Sequence, residues 1–222
     1  MKLVNSDWKT CIDFDEEKVQ VICIENPKYY AEVVNELLHE LSGNDGKFIL
    51  SEKDKIYDLS KKADIILSPF LLDFENKKFQ NAMTKKLVQI ANEEEYAETK
   101  ELSGQILEYI YKLSDYLDYD VSISDEVDIS QLLKTVGMKV SKSEGELVEQ
   151  IVDYMFLMKN VLGIELIIGV NFRSFISVHD LEKLYQTLLL KKIKLLLLEN
   201  KVVDDKLECE KWLIIDSDLC EI

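Results

Sequence analysis

Glycine and proline are scarce, with only seven and two among 222 residues. Glycine-rich loops cradle phosphates because successive backbone amides can wrap the anion, and no G-x-x-x-x-G-K-[ST] pattern occurs. The segment QVICIENPKYYAEVVNELL (20–38) runs from an apolar strand directly into a helical pattern, the place where many α/β proteins hold a nucleotide. Its connection, Glu25 to Tyr30, contains no glycine. Glu25 puts an acid where an anion would sit, and Pro27 removes an amide donor, suiting the first turn of a helix instead. The apolar strand Leu166–Val170 ends in Asn171 and not in a magnesium-binding acid. ATP or GTP hydrolysis is not expected.

Histidine is as scarce as proline, with two residues. His39 and His179 both fall in expected helices, with no paired serine or cysteine motif for nucleophilic catalysis. Cys11, Cys23, Cys209 and Cys220 form no C-x-x-C pair and have no histidine at metal spacing, as for thiols in a reducing cytoplasm. No apolar run approaches the roughly 18 residues of a membrane span. The opening MKLVNSDWKT lacks the apolar stretch and cleavage site of a signal peptide. A cytoplasmic protein with no membrane partner is expected.

Positive charge is the minority sign, 27 basic against 43 acidic residues, for a net −16. The mean field therefore repels nucleic acid. A solvated acidic exterior, a cation binder, or charge sorted onto separate surfaces all fit.

With 47% hydrophobic residues the chain can bury a core. Strands are expected near Cys11–Phe14, Val19–Glu25, Lys47–Leu50 and Asp64–Ser68, with a helix from about Lys28 to Leu41. Past Pro69 the pattern changes. Phe79, Met83, Leu87 and Ile90, then Leu102, Ile106, Ile110, Leu113 and Leu117, step by three and four. Such long helices with narrow stripes pack on each other or on another subunit. The acidic stretch 92–100 is a solvated turn of helix or a break between two arms.

DISQLLKTVGMKV reads as a short helix, Gly137, and a strand around Met138–Val140. Ser143-Glu-Gly-Glu146 fits a capping box opening a helix to about Asn160, and Ser177-Val-His-Asp180 a second, opening a helix to about Leu190. Strands follow at Ile164–Val170, KIKLLLLEN and KWLIID. Helices alternating with apolar strands predict an α/β fold with a mostly parallel sheet. The head is expected at 1–74 and 119–222, with a long-helix leg lobe at 75–118.

DYDVSISDEVD gathers Asp118, Asp120, Asp125, Glu126 and Asp128 within eleven residues. Hard oxygens at that density suit calcium. An EF-hand register from Asp118 fails, putting Ile123 at the glycine position and Ile129 at the bidentate glutamate. Equally, Asp125 or Asp128 caps the next helix while the others face water. Lys134, Lys139 and Lys142 cluster around the Gly137 turn, and Lys191, Lys192 and Lys194 form a second group. Either group contacts phosphate or forms a solvated face.

VICIENP, IILSPFLLDFENKKFQNAM, LLKTVGMKV and KIKLLLLEN…LIIDSDLCEI occur in that order. Together they resemble the Csn family of type II-A CRISPR systems, the ring-forming accessory proteins of spacer acquisition. The resemblance implies a head related to P-loop ATPases but lacking the nucleotide motif, with a helical leg. It also implies a calcium-supported homotetrameric ring that binds double-stranded DNA ends through a basic hole. The acids Asp118–Asp128 become candidate calcium ligands, and Lys134, Lys139 and Lys142 candidate DNA contacts. Integrase proteins and the RNA-guided nuclease of the same system are the implied partners.

Four copies at −16 each carry −64 in formal charge. Physiological salt screens over about 8 Å, so binding depends on lysines close to the phosphates and on released counterions. The expectation is a non-enzymatic, sequence-independent DNA-end binder. Two rivals stand beside it: a metal-dependent nuclease using the Asp118–Asp128 acids, and a structural adaptor that binds only protein.

Overall fold

The computed structural model describes residues 1–53, 55–141 and 144–222. The chain divides into two compact units, 1–73 with 142–222, and 74–141. The segment 119–141, assigned from sequence to the α/β head, falls in the helical unit.

The first unit is mixed α/β and carries a five-stranded parallel sheet. Its strands are β3 (Val19–Ile24), β6 (Ala63–Ile66), β7 (Leu166–Val170), β8 (Lys194–Glu199) and β9 (Glu210–Ile215), in the order β6-β7-β8-β3-β9. Every residue of β3 and β7 is buried, as near-continuous apolar runs require when both sheet faces are covered. On one face α1 (Pro27–Leu41) inserts Val33 and Leu37 among Ile22, Ile24, Leu196 and Leu198. Leu181, Leu184, Tyr185 and Leu188 of α7 (Val178–Leu190), with Ile151 and Met155 of α6 (Leu147–Leu157), are also buried. Each such side chain contributes about 1.5–3 kcal/mol by leaving water.

A second sheet was only partly visible in the sequence. It is antiparallel, in the order β2-β1-β4-β5: β1 (Lys2–Asn5), β2 (Ile12–Asp13), β4 (Phe48–Glu52) and β5 (Lys55–Tyr57). Leu3 and Leu50 face the same core as α1, so that helix serves both sheets. The short α2 (Leu59–Lys62) leads from β5 to β6.

Helix starts follow local chemistry. The Asn26 side chain accepts from Lys28 N–H and Tyr29 N–H, with Pro27 in the first turn. Ser177 Oγ accepts from Asp180 N–H at 3.2 Å, as the second capping pattern predicts. Ser143 and Lys142 lie outside the described residues. α6 itself starts after Glu146, whose N–H donates to the Glu149 carboxylate at 3.1 Å.

The second unit holds α3 (Lys77–Glu93), α4 (Tyr96–Ser114) and α5 (Ile129–Thr135), with α3 packed on both others. The acidic stretch is a break. Glu94 and Glu95 both donate to Ile90 C=O, which ends α3 before α4 begins. α3 buries Phe79, while α4 buries no residue. The strand expected at Met138–Val140 does not form. Gly137, at φ +66°, ends α5 in the left-handed region, and the following residues are irregular. A strand needs a hydrogen-bonding neighbour, and among the described residues this unit has none.

Candidate nucleic-acid interface

In open parallel sheets ligands sit beyond the strands' carboxyl ends, where neighbouring strands lead in opposite directions. Here that point lies between β3, whose chain goes to the β6 edge, and β8, whose chain goes to β9. The protein fills it with its own groups. Asn26 occupies the α1 amides that would bind phosphate. The Tyr30 hydroxyl donates to Leu198 C=O at 3.1 Å. Glu199, 3% exposed, accepts from Arg173 N–H at 3.1 Å. Burial pushes its carboxyl up to about 7, against the Arg173 charge and amide that favour ionisation. A buried acid and pre-empted amides are the wrong chemistry for a nucleotide phosphate.

The acids predicted as calcium ligands lie in the helical unit, on the irregular chain between α4 and α5. Asp118, Asp120, Asp125, Glu126 and Asp128 are all exposed. Asp128 caps α5, accepting from Gln131 N–H at 3.2 Å. Asp125 and Glu126 line a groove with Asn92, Tyr96, Thr99 and Lys100, the Lys100 ammonium standing 4.0 Å from Glu126. Ser124 folds onto Glu126 through two hydrogen bonds. Among the described residues no three acids, histidines or cysteines gather as a metal cage.

Lys134 is exposed in the last turn of α5. Lys139 pairs with Glu75 at 2.8 Å, an exposed contact worth about 1 kcal/mol or less. Lys142 lies outside the described residues. The second lysine group is engaged elsewhere: Lys191 over the Phe156 ring, Lys192 with Glu16, Lys194 with Glu52.

The stronger basic element went unnoticed in the sequence. α3 carries Lys77, Lys78, Lys85 and Lys86 against the single acid Glu93. All four lysines are exposed, and none forms an ion pair among the described residues. Lys78 and Lys85, seven residues apart, share a face about 10 Å apart along the axis. Two lysine doublets in an otherwise acidic chain were the available signal. Because α5 packs on α3, Lys134 belongs to the same helical cluster.

The chain thus combines an α/β unit whose switch point is filled by its own side chains with a helical unit that carries an unburied stripe and a lysine-rich helix. The family model for CRISPR-associated protein (Cas_Csn2) matches residues 40–219, and the chain belongs to that family. Membership implies a role associated with CRISPR adaptation. No curated protein matches the chain. Among the described residues no helix is long and apolar enough to cross a membrane.

Proposed function

We propose that the protein is a non-enzymatic, calcium-dependent, homotetrameric ring that holds double-stranded DNA ends, without reading sequence, during spacer acquisition. The observation that carries this reading is the sorting of charge: four exposed lysines on α3, without an ion pair among the described residues, in a chain of net −16. Such lysines contact phosphates and carry no sequence information. Support for self-association comes from α4 and the turn that follows it, where Leu102, Ile110 and Leu113, then Leu117, remain exposed. Calcium would bridge copies at the Asp118–Asp128 acids and offset their repulsion. In this reading the head descends from a P-loop ATPase: the parallel sheet is compatible with that origin, and the glycine-free first turn with loss of nucleotide binding. Integrase and RNA-guided nuclease remain the proposed partners, and the cytoplasm the proposed location.

Two experiments test the proposal. Sedimentation with calcium and then with chelator should give a tetramer that dissociates, and a stable monomer in both sinks the ring. Gel shifts should favour linear over closed circular DNA. Equal binding ends threading, and no binding favours the protein-only adaptor. The nuclease alternative predicts cleavage of linear DNA with magnesium or manganese, where the ring predicts intact DNA.

A further inference from the structure

β9 is an edge strand whose backbone groups alternate in direction. Val19 N–H donates to Cys209 C=O at 2.8 Å and Glu25 N–H to Ile215 C=O at 2.9 Å, so odd-numbered residues from 209 to 215 face β3. Even-numbered residues face outward. Glu210 N–H meets Leu207 C=O at 3.0 Å, Ile214 and Ile222 exchange two bonds at 3.1 and 2.8 Å, and Asp216 N–H meets Cys220 C=O at 3.0 Å. The segment 220–222 thus already lies antiparallel along this edge. Trp212 is the outward-facing residue left over. Among the described residues no backbone group pairs with it on that side.

Beside Trp212 lies a cleft of about 260 Å³ lined by Ile12, Gln20, Lys211, Leu213 and Ile222. Gln20 stands on β3 opposite Lys211 in register, so both side chains lie on one sheet face. Gln20 is 2% exposed, and its Nε2 has no acceptor. An unsatisfied buried donor is costly and therefore informative. The cleft thus offers outward main-chain groups, a buried amide donor and a cation at its rim. The carboxylate of the nearby Glu221 is already occupied by Lys9 N–H and Thr10 N–H, at 2.6 and 2.8 Å.

We propose that this cleft takes an extended segment of a partner protein, added as a strand on β9 beside Ile222. Its main chain pairs with Trp212, and an Asp or Glu side chain on the cleft face accepts from Gln20 Nε2 beside the Lys211 ammonium. Main-chain bonds supply affinity and the alternating side chain supplies selection. A strand fits better than a compact anion because the outward main-chain groups of Trp212 stand next in line after the pairs made by residues 220–222.

The test uses the full chain and the blocked peptide acetyl-Val-Thr-Asp-Thr-Val-amide. Hydrogen exchange over residues 209–215 should slow on peptide addition. Replacing the peptide aspartate by alanine, or methylating the amide that faces Trp212, should weaken binding roughly tenfold. Gln20→Met keeps the side chain's length and removes the unsatisfied amide, so the variant should fold at least as stably and bind roughly tenfold less. No protection at millimolar peptide overturns the proposal and leaves the amide to water. Equal binding by Gln20→Met, or by the methylated peptide, overturns it as well.

Discussion

Arg173 holds Glu210 through one guanidinium nitrogen placed 2.7 and 2.8 Å from the two carboxylate oxygens, and the Glu210 side chain is wholly shielded from solvent. The Tyr185 hydroxyl, Trp212 Nε1 and Leu207 N–H also donate to Glu210, tying α7, β9 and the preceding loop together. Removing Arg173 leaves a buried carboxylate without its cation, a loss of about 3–5 kcal/mol. Arg173→Leu should show that loss in urea unfolding. A change below about 1 kcal/mol would mean that the neutral donors suffice without the cation.

Glu199 makes stability depend on pH. Burial holds its carboxyl near 7, above the ordinary carboxylate range. Between about pH 4.5 and 7 the folded chain keeps a proton that the unfolded chain has released, so stability falls as pH rises through this window. The contribution is present in full below the unfolded value and is on the order of 3 kcal/mol. Glu199→Gln should match the parent near pH 5 and exceed it near pH 8. Urea midpoints that fall equally in both proteins would remove Glu199 as the source.

How much of this was legible beforehand differs between the units. β3, β7 and β8 were readable because strands buried on both faces are written as unbroken apolar runs, as in Leu195–Leu198, and the edge strand β9 was readable from its apolar run Trp212–Ile215. β1 and β5 are short, and β5 is half polar, so their pairing with β4 is a tertiary fact with little local signal. Met138–Val140 misled because alternation alone cannot supply a neighbouring strand. Asp128 was legible as a cap, since a cap acts over three residues. Whether Asp118 and Asp120 meet a cation depends on chains that lie far apart in sequence or in another copy. The α3 lysines were legible in composition and hidden by the net charge, which averages over surfaces.

The exposed stripe of α4 predicts a separation of folding from assembly. Leu113 is 45% exposed and α4 buries nothing, so Leu113→Lys should leave thermal unfolding of the dissociated chain almost unchanged. In a self-associated interface the same lysine introduces an unpaired buried charge, costing several kcal/mol per contact. Sedimentation should show a clear shift to smaller species at micromolar protein. An unchanged sedimentation profile would place the interface elsewhere.

Lys78 and Lys85 give the sharpest check on the DNA reading, because counterion release ties affinity to the number of phosphates neutralised. Each lost contact lowers the slope of log K against log salt by about 0.9, counted once for every copy that touches the duplex. Lys78→Ala with Lys85→Ala should therefore weaken binding equally on unrelated sequences and flatten the salt dependence by about 2 for one copy, more if several copies share one duplex. Lys112→Ala is the control, since that ammonium is already paired with Glu108 at 2.7 Å on α4. The measurement is a binding titration at four salt concentrations. An unchanged slope in the double variant, or the same loss in the control, would show that α3 does not face the DNA.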